Sequence, residues 1–248
     1  MYSNLEILKS NFILRSQGVL LNFVIKKHLA METVINQIDQ EFKDFIITQN
    51  HPCIMANTVF QMDNYQLKLY DDIESDAVIK PILADIENYL EHYDFESNQF
   101  ETLIMCFTQN EFQTEMEFEK ALWNLLQKLH NKDDAPWDSN VSDNPEDINF
   151  SFSLKGKAFY VIGMHPQSSR LARQAPYCTV VFNLHWQFEK LREMGTYQKV
   201  KNRIRTRDAA LQGFINPTLK DFGQDSESRQ YSGRKIDDSW KCPFHHKN

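Results

Sequence analysis

The stretch Thr102–Phe107, TLIMCF, is a continuous apolar run in the middle of the chain. A run of this length without alternation is typical of a strand that is buried on both faces of a sheet. Before it, Tyr65–Tyr70 (YQLKLY) alternates with a period of two, which predicts a second strand. Residues 78–89 and 116–129 carry apolar side chains at helical spacing. The run therefore predicts a strand flanked by helices.

The second half of the chain continues the alternation of strands and helices. Residues 150–154 and 158–162 flank Lys155-Gly156 and predict a hairpin, and 179–182 predicts another strand. Asn183 is a suitable N-cap for a helix that Gly195 ends, and a further helix is expected over 197–211. The fold class is α/β or α+β, a single domain with a mixed β-sheet flanked by helices.

Both ends of the chain differ from this regular middle. Residues 1–30 predict an N-terminal extension of uncertain structure. A single domain is expected over 31–248, and its first helix is expected from Glu32 to Phe45. The last 37 residues, from Gln212, contain no convincing helix or strand. They are rich in aromatic residues, however, which is not typical of a disordered tail. We expect an ordered C-terminal arm.

Composition excludes several classes of protein. The chain has 248 residues, 42% of them hydrophobic, and no long uncharged apolar run of the kind that spans a membrane. Its four cysteines are far apart and form no CxxC pair, which argues against a zinc ribbon, a thioredoxin-type motif and a disulfide framework. A cytoplasmic protein is the simplest expectation.

The net charge of −7 is the sum of two opposite halves. Residues 1–148 carry a net charge of −16, and residues 149–248 carry +9. The acidic half would repel phosphate groups, and the basic side chains after position 220 alternate with acidic ones, so we do not expect nucleic acid as a partner.

Four groups of residues have side chains suited to chemistry. His51-Pro52-Cys53 places a thiol in a loop, where a small buried hydrophobe is the more common role. The run 163–173 follows a predicted strand and holds His165, Arg170 and Arg173; the arginines are spaced to clamp an anion, or else they pair with acidic side chains.

The other two groups lie further along the chain. His185, Glu189 and Arg192 share one face of the predicted helix, either as a solvated stripe or with a His-Glu metal pair. In the arm, Trp240-Lys241-Cys242-Pro243-Phe244 sets a Cys-Pro step beside aromatic residues, a setting typical of a thiolate that binds haem iron. Terminal Cys and His residues are more often incidental.

These groups occur together, in this order, in a known family. The chain resembles the YqcI/YcgG family in the runs Phe159–Arg170, Val181–Glu189, Arg207–Gly213, Ile215–Pro217, Arg229–Arg234 and Trp240–His245, and in Pro52-Cys53 and Ala56. The characterised members are haem-dependent N-hydroxylases of guanidino compounds: an arginine N-hydroxylase and the pre-guanitoxin N-hydroxylase. The resemblance implies haem b as cofactor, O2 as co-substrate and a separate reductase as electron donor, since no flavin or nicotinamide motif is evident.

The resemblance also implies roles for individual residues. His165 is the first choice of axial ligand to the iron, Cys242 the second and His185 the third. Arg170, Arg173 and Arg234 are candidate partners of the haem propionates, and His245 is a further cofactor-binding candidate. Candidate proton donors are Ser169, His185, Gln187 and Tyr231. Carboxylates of residues 31–148 would hold the cationic substrate.

The function expected from the resemblance is N-hydroxylation of a guanidino or amino group of a small molecule such as arginine, by an oxidoreductase without membrane or nucleic-acid partners. A homodimer is one possible assembly. The alternative is a haem-binding protein without catalysis, acting as a sensor, carrier or buffer. A third hypothesis is a cofactor-free interaction protein in which the motifs only pack.

Overall fold

The computed structural model describes residues 29–97, 99–214 and 220–247. The chain divides into two compact units, residues 1–41 and residues 42–248. Residues 1–28 of the expected N-terminal extension and the Ile215–Pro217 motif lie outside the described residues. A domain boundary between residues 30 and 31 stays a prediction.

A mixed five-stranded sheet forms the centre of the second unit, with the order β1-β2-β5-β4-β3. The strands are β1 Tyr65–Tyr70, β2 Thr102–Phe107, β3 Phe152–Leu154, β4 Lys157–Met164 and β5 Cys178–Leu184. Strands β1 and β2 are parallel, and the other pairs are antiparallel. Every residue of β2, the TLIMCF run, is buried. The expected mixed sheet flanked by helices is thereby confirmed.

The helices begin with α1, over residues 29–43, which is followed by one π-helical turn at Asp44–Thr48. The others are α2 Ile54–Gln61, α3 Ile79–His92, α4 Glu115–Lys132, α5 His185–Glu193 and α6 Tyr197–Gln212. Thr114 and Glu117 form a capping box at the start of α4. No helix within the described ranges combines the length and apolarity needed to cross a bilayer.

The two faces of the sheet have different surroundings. On β2 and β5, side chains such as Leu103, Met105 and Phe182 belong to the main hydrophobic core, which also contains side chains of α3 and α4. The intervening side chains, among them Ile104 and Val181, line a cavity on the other face. This division follows from the period of two in a strand, which sends successive side chains to opposite faces.

The C-terminal arm is ordered over 220–247 and lies along the edge of β4 beyond the end of β3. Gly163 donates its backbone N–H to the carbonyl oxygen of Tyr231 over 2.7 Å. A Cβ atom at Gly163 would lie 2.9 Å from that oxygen and 2.8 Å from the Phe118 ring, so only glycine permits this close approach. This part of the arm contains a 3₁₀ turn over Glu227–Gln230.

One local expectation was wrong, and one helix was missed. Asn183 is not an N-cap but part of β5, where its side chain accepts a hydrogen bond from Thr102 Oγ1 over 2.8 Å; Leu184 precedes the helix instead. Helix α2 was not predicted at all. Its N-cap is Cys53, whose Sγ accepts from the backbone N–H of Ala56, and cysteine is not among the residues that usually mark a helix start.

Candidate functional site

A cavity of about 290 Å³ lies on the face of the sheet that α2, α5 and α6 cover. Its walls are mainly apolar, with side chains such as Phe60, Ile104, Ile162 and Phe188. Polar and charged side chains enter at several points. An apolar cavity of this kind with a few convergent polar groups is the usual form of a small-molecule or cofactor site.

His51 and Cys53 lie together on the wall of this cavity, just before α2. His51 Nδ1 accepts from the backbone N–H of Cys53 over 3.2 Å, and Nε2 lies 2.9 Å from the carbonyl oxygen of Ala172. The ring is therefore neutral, with its proton assigned to Nε2. Burial lowers the pKa of His51 to about 4, and burial raises the pKa of the Cys53 thiol. Both groups are uncharged at neutral pH.

The loop that carries these two residues is fixed by α6. Arg207 donates from Nε to the carbonyl oxygen of Pro52 over 3.1 Å and from Nη2 to that of His51 over 2.7 Å. Asn57, on α2, also donates to the His51 carbonyl oxygen over 2.7 Å. The backbone of the loop is thus held from two sides, which positions the imidazole and the thiol.

Six cationic side chains also line the cavity: Arg170, Arg173, Arg192, Lys201, Arg205 and Lys220. Arg173 is buried and donates to the carbonyl oxygens of Gly163 over 2.8 Å and Gln230 over 3.3 Å. Burial, followed by the charge of Arg170, lowers its pKa to about 10. Arg173 therefore ties β4 to the arm while its positive charge remains next to the cavity.

Three carboxylates line the cavity, and all come from the basic half of the chain. Asp208 pairs with Arg170 at 3.5 Å, and Asp221 pairs with Lys201 at 2.6 Å. The third is Glu227, which is 4% exposed. The expectation that carboxylates of residues 31–148 face the site is wrong for this cavity, because its lining contains none of them.

Glu227 has no described lysine or arginine within ion-pair distance. Its Oε2 lies 3.3 Å from the Tyr231 hydroxyl, and its Oε1 lies 3.6 Å from His185 Nδ1. The other ring nitrogen of His185 is 3.2 Å from Glu189, whose side chain is 45% exposed. A buried carboxylate without a lysine or arginine partner is costly, so Glu227 is suited to bind a cationic group of a ligand.

Of the residues proposed from the sequence, the cavity brings together Arg170, Arg173 and Gln187. Gln187 Nε2 donates to the carbonyl oxygen of Glu101. His185 and Tyr231 are not part of the lining, but both contact the lining residue Glu227.

The first-choice iron ligand, His165, lies outside the cavity lining. It is 1% exposed and stacks on Phe118 of α4, with 4.4 Å between ring centroids. Neither ring nitrogen has a hydrogen-bond partner among the described residues. Burial lowers its pKa, and the nearby Glu115 carboxylate opposes that shift. The imidazole is therefore neutral and belongs to the packing of α4 against β4.

Cys242 is also outside the cavity lining. It is buried in the main core cluster together with Phe244. Burial raises the pKa of its thiol to about 12, so the group is protonated at neutral pH. His245, close by, is exposed, and its backbone N–H donates to Gln127 of α4.

Arg234 and Ser169 do not line the cavity; their side chains contact α4. Arg234 donates to both carboxylate oxygens of Glu119, over 2.7 and 3.1 Å. Ser169 donates to Glu115 over 2.9 Å from both its hydroxyl and its backbone N–H. The structure thus divides the proposed site residues between the cavity and the contacts of the arm and loops with α4.

Sequence reasoning missed the roles of His51, Cys53, Glu227 and Asp208 in this site. The available signal was Pro52-Cys53, which belongs to the resemblance, but a loop thiol alone did not point to a cavity. Within the described part of the chain, no three His, Cys, Asp or Glu side chains converge as they would around a bare metal ion. Haem needs a single side-chain ligand, so that criterion does not apply to it.

Comparison with known proteins identifies the family. The YqcI/YcgG family model matches residues 42–245, nearly the whole of the second unit. The chain belongs to the YqcI/YcgG family. Two Bacillus subtilis (strain 168) relatives are uncharacterized proteins: YqcI is 26% identical over 203 residues, and YcgG is 24% identical over 206 residues. Each alignment covers 78% of this chain and 80% of the relative. No solved structure matches the chain.

The family match places the cavity within a shared region. All of the cavity's lining residues, from Phe42 to Gln230, fall inside the part of the chain that the YqcI/YcgG model covers. The first 41 residues lie outside that match.

Proposed function

We propose that this YqcI/YcgG protein is a haem-dependent monooxygenase that N-hydroxylates a guanidino or amino group of a small molecule such as arginine. It would use O2 and take electrons from a separate reductase. The observation that carries the proposal is the composition of the cavity lining, which contains His51, Cys53, six cationic side chains and the buried carboxylate Glu227.

The cavity residues fit haem b. A porphyrin needs apolar walls, an axial side chain for the iron and cationic partners for its propionates. His51 and Cys53 are the imidazole and the thiol in the lining, and Arg170, Arg192 and Lys220 are among the cations. Bound haem would supply the activation of O2, which the side chains alone do not provide.

His51 and Cys53 would become ligands in different ways. His51 would release the carbonyl oxygen of Ala172, to which its Nε2–H donates, and its ring proton would move to Nδ1, which would give up the Cys53 N–H. Nε2 would then be free to bind iron, and the imidazole would lose no net proton. Cys53 would have to lose its proton, which burial opposes and the charges of Arg173 and Arg207 favour. Because the imidazole is already neutral, we place His51 ahead of Cys53. The earlier choices, His165 and Cys242, stay untested predictions.

Glu227 is our candidate for binding the substrate cation. Asp208 and Asp221 already have partners in Arg170 and Lys201. A guanidinium group forms paired hydrogen bonds to a carboxylate and would supply the positive charge that Glu227 lacks. The site would then discriminate in favour of guanidino or amino substrates, because a neutral analogue leaves the buried carboxylate uncompensated.

His185 and Glu189 provide a route for protons to the same carboxylate. Glu189 is part-exposed, His185 is buried, and Glu227 reaches the cavity, with distances of 3.2 and 3.6 Å between successive groups. Imidazole passes protons near neutral pH. We therefore keep His185 as a candidate proton donor, now through Glu227; its Nδ1 has no hydrogen-bond partner among the described residues, so transfer requires the two side chains to move closer.

The experiment is a single-turnover assay on the purified full-length protein loaded with haem. With arginine, O2 and a chemical reductant, we expect a product heavier by one oxygen atom, and 18O2 should supply that atom. If the loaded protein binds cyanide at an open iron position but forms no oxygenated product from arginine or other guanidines and amines, the proposal of catalysis is wrong. Coordination that excludes added cyanide would favour the non-catalytic haem-binding alternative.

A further inference from the structure

Four aromatic rings, here called the aromatic row, follow one another from the cavity to the outer side of the arm. Tyr160 lines the cavity, and its ring centroid is 5.9 Å from that of Tyr231. Tyr231 stacks on Trp123 of α4 at 5.7 Å with 26° between the ring planes. Trp123 is 6.3 Å from Trp240. Each ring is therefore in contact range of the next.

The middle rings of the aromatic row are buried, and the ring at its outer end is partly exposed. Tyr231 is 0% exposed and Trp123 is 3% exposed, so the two middle rings of the aromatic row are closed to solvent. Trp240 is partly exposed on the arm. An oxidising equivalent that reaches Trp240 can thus meet a soluble reductant, whereas one on Tyr231 cannot.

Two of these rings have a carboxylate in hydrogen-bond range that can take a proton. The Tyr231 hydroxyl lies 3.3 Å from Glu227 Oε2, and burial holds the phenol protonated by raising its pKa. Trp240 Nε1 donates to Glu119 over 3.1 Å. Tyrosine and tryptophan lose an electron most readily when their O–H or N–H proton can leave with it, and both carboxylates accept such a proton.

We propose that Tyr160, Tyr231, Trp123 and Trp240 form a relay that carries an oxidising equivalent from the cavity to the protein surface. The role rests on the proposed function, which requires a strong one-electron oxidant to form in the cavity. When no substrate consumes that oxidant, the relay removes it before it damages the cavity walls. The activity is protective and distinct from N-hydroxylation.

Each step moves one electron toward the cavity. The oxidant takes an electron from Tyr231 across the intervening ring of Tyr160, and the Tyr231 phenol proton moves to Glu227. Trp123 then reduces the Tyr231 radical, and the proton returns from Glu227. Trp240 reduces Trp123 and passes its N–H proton to Glu119. A soluble thiol finally gives Trp240 an electron and a proton, and Glu119 releases its proton.

Charges around Trp240 favour a neutral radical there. The Arg229 guanidinium lies 5.8 Å from the centre of the Trp240 ring and opposes a positive charge on it. Loss of the indole proton to Glu119 removes that conflict. The buried Trp123 has no described hydrogen-bond partner for its Nε1, so it passes the electron without a proton acceptor of its own.

The test uses a photo-oxidant placed at the cavity independently of haem. Cys53 is part-exposed, while Cys106, Cys178 and Cys242 are buried. Because burial raises the pKa of the Cys53 thiol, a thiol-reactive ruthenium polypyridyl complex is attached at alkaline pH, and mass spectrometry verifies that Cys53 is the labelled residue. After flash excitation with a soluble oxidative quencher, transient absorption and electron paramagnetic resonance report tyrosyl and tryptophanyl radicals. Mass spectrometry then locates oxidation at Trp240.

Substitutions at Trp123 separate relay from packing. Trp123→Phe removes the oxidisable ring without breaking a described hydrogen bond, and we expect loss of Trp240 oxidation. Trp123→Tyr is of similar size but oxidisable, and should retain it. The matched control is Trp186→Phe, because Trp186 is a partly buried tryptophan that does not belong to the aromatic row. This variant should leave Trp240 oxidation unchanged. Melting temperatures of all three verify that they are folded.

Equal Trp240 oxidation in folded Trp123→Phe and in the unsubstituted protein would overturn the relay, as would equal loss in Trp123→Phe and Trp123→Tyr. These outcomes are distinguishable from failure of the proposed function. A chain that binds no haem can still show the relay from the tethered complex, and a haem-loaded N-hydroxylase can lack it.

Discussion

At the scale of single residues, Glu227 is the side chain that we propose binds the substrate cation. It is buried, it faces the cavity, and it is the lining carboxylate without a described lysine or arginine partner. The proposed recognition therefore depends on this one charge more than on the overall charge of the basic half.

The first prediction concerns that charge. Glu227→Gln keeps the size of the side chain and removes the charge, so it should weaken guanidine binding by about 2 kcal/mol, or roughly thirtyfold in Kd, the typical contribution of a hydrogen bond to a charged group. Isothermal titration of the haem-loaded protein with arginine measures this. Glu193→Gln, at the exposed last residue of α5, is the matched control, with unchanged binding expected. Equal affinity in both variants would show that Glu227 does not receive the cation.

The residue scale also shows where prediction from the sequence fails. Arg234 lies in a recognisable motif, yet its guanidinium pairs with Glu119, 115 positions earlier in the chain. His51 Nε2 is bonded to the carbonyl oxygen of Ala172, 121 positions away. Contacts of this range depend on how the sheet is ordered, and no local pattern encodes them.

At the scale of elements, prediction succeeded where one physical signal dominates. The bounds of TLIMCF match β2, because a strand between two others must be apolar on both faces. The helix expected over 197–211 is α6, and the stripe from Met116 to Leu129 is within α4. Helix α2 was missed because its start is marked by Cys53 and not by a usual capping residue.

One buried carboxylate of α4, Glu119, binds three residues of the arm, and this gives the second prediction. Glu119 accepts hydrogen bonds from Ser232 over 2.7 Å, from Trp240 over 3.1 Å and from Arg234. Glu119→Gln removes the charge that Arg234 needs, and should lower the free energy of unfolding by about 2 kcal/mol. Urea denaturation measures the change, and hydrogen exchange should rise most over 226–242.

Glu91→Gln, on the exposed side of α3, is the matched control for this loss of stability. It should shift the urea midpoint little. If Glu119→Gln is equally mild, the arm is not held by this carboxylate.

The end of the arm gives the third prediction, on pH. His130 Nε2 accepts from the backbone N–H of Lys247 over 3.0 Å, and burial, with the charges of His246 and Lys247, lowers its pKa to about 4. Its folded pKa lies below the unfolded value of about 6.5. The unfolded chain therefore binds more protons between these values, and stability present above pH 6.5 is lost as the pH falls toward 4.

His130→Gln keeps a hydrogen-bond acceptor and cannot be protonated, so it should reduce the loss of stability between pH 7 and 5. Near the chain end, solvent screening limits the difference to on the order of 1 kcal/mol. Urea titrations at both pH values measure it. His51 and His165 keep their own lowered pKa values, so part of the slope should remain. An unchanged slope, matching that of the exposed His92→Gln control, would contradict the role of His130.

At the scale of the whole molecule, the opposite charges of the two halves have a different meaning from the one expected. The cavity takes its six cations from the basic half, as expected of a site for an anionic cofactor. Its three carboxylates come from that half as well. The acidic half contributes Glu119 and Glu115, which bind the arm and the loop after β4.

The central claim is that the cavity holds haem on the wall formed by His51 and Cys53. The visible spectrum of the full-length protein, purified after expression with haem supplied and recorded oxidised and reduced with carbon monoxide, tests it most directly. We predict a Soret band that is lost or shifted in His51→Ala and is retained in Cys53→Ser, His165→Ala and Cys242→Ser. No Soret band in the unsubstituted protein, or a band that depends on His165 or Cys242 while His51 and Cys53 are dispensable, would contradict it.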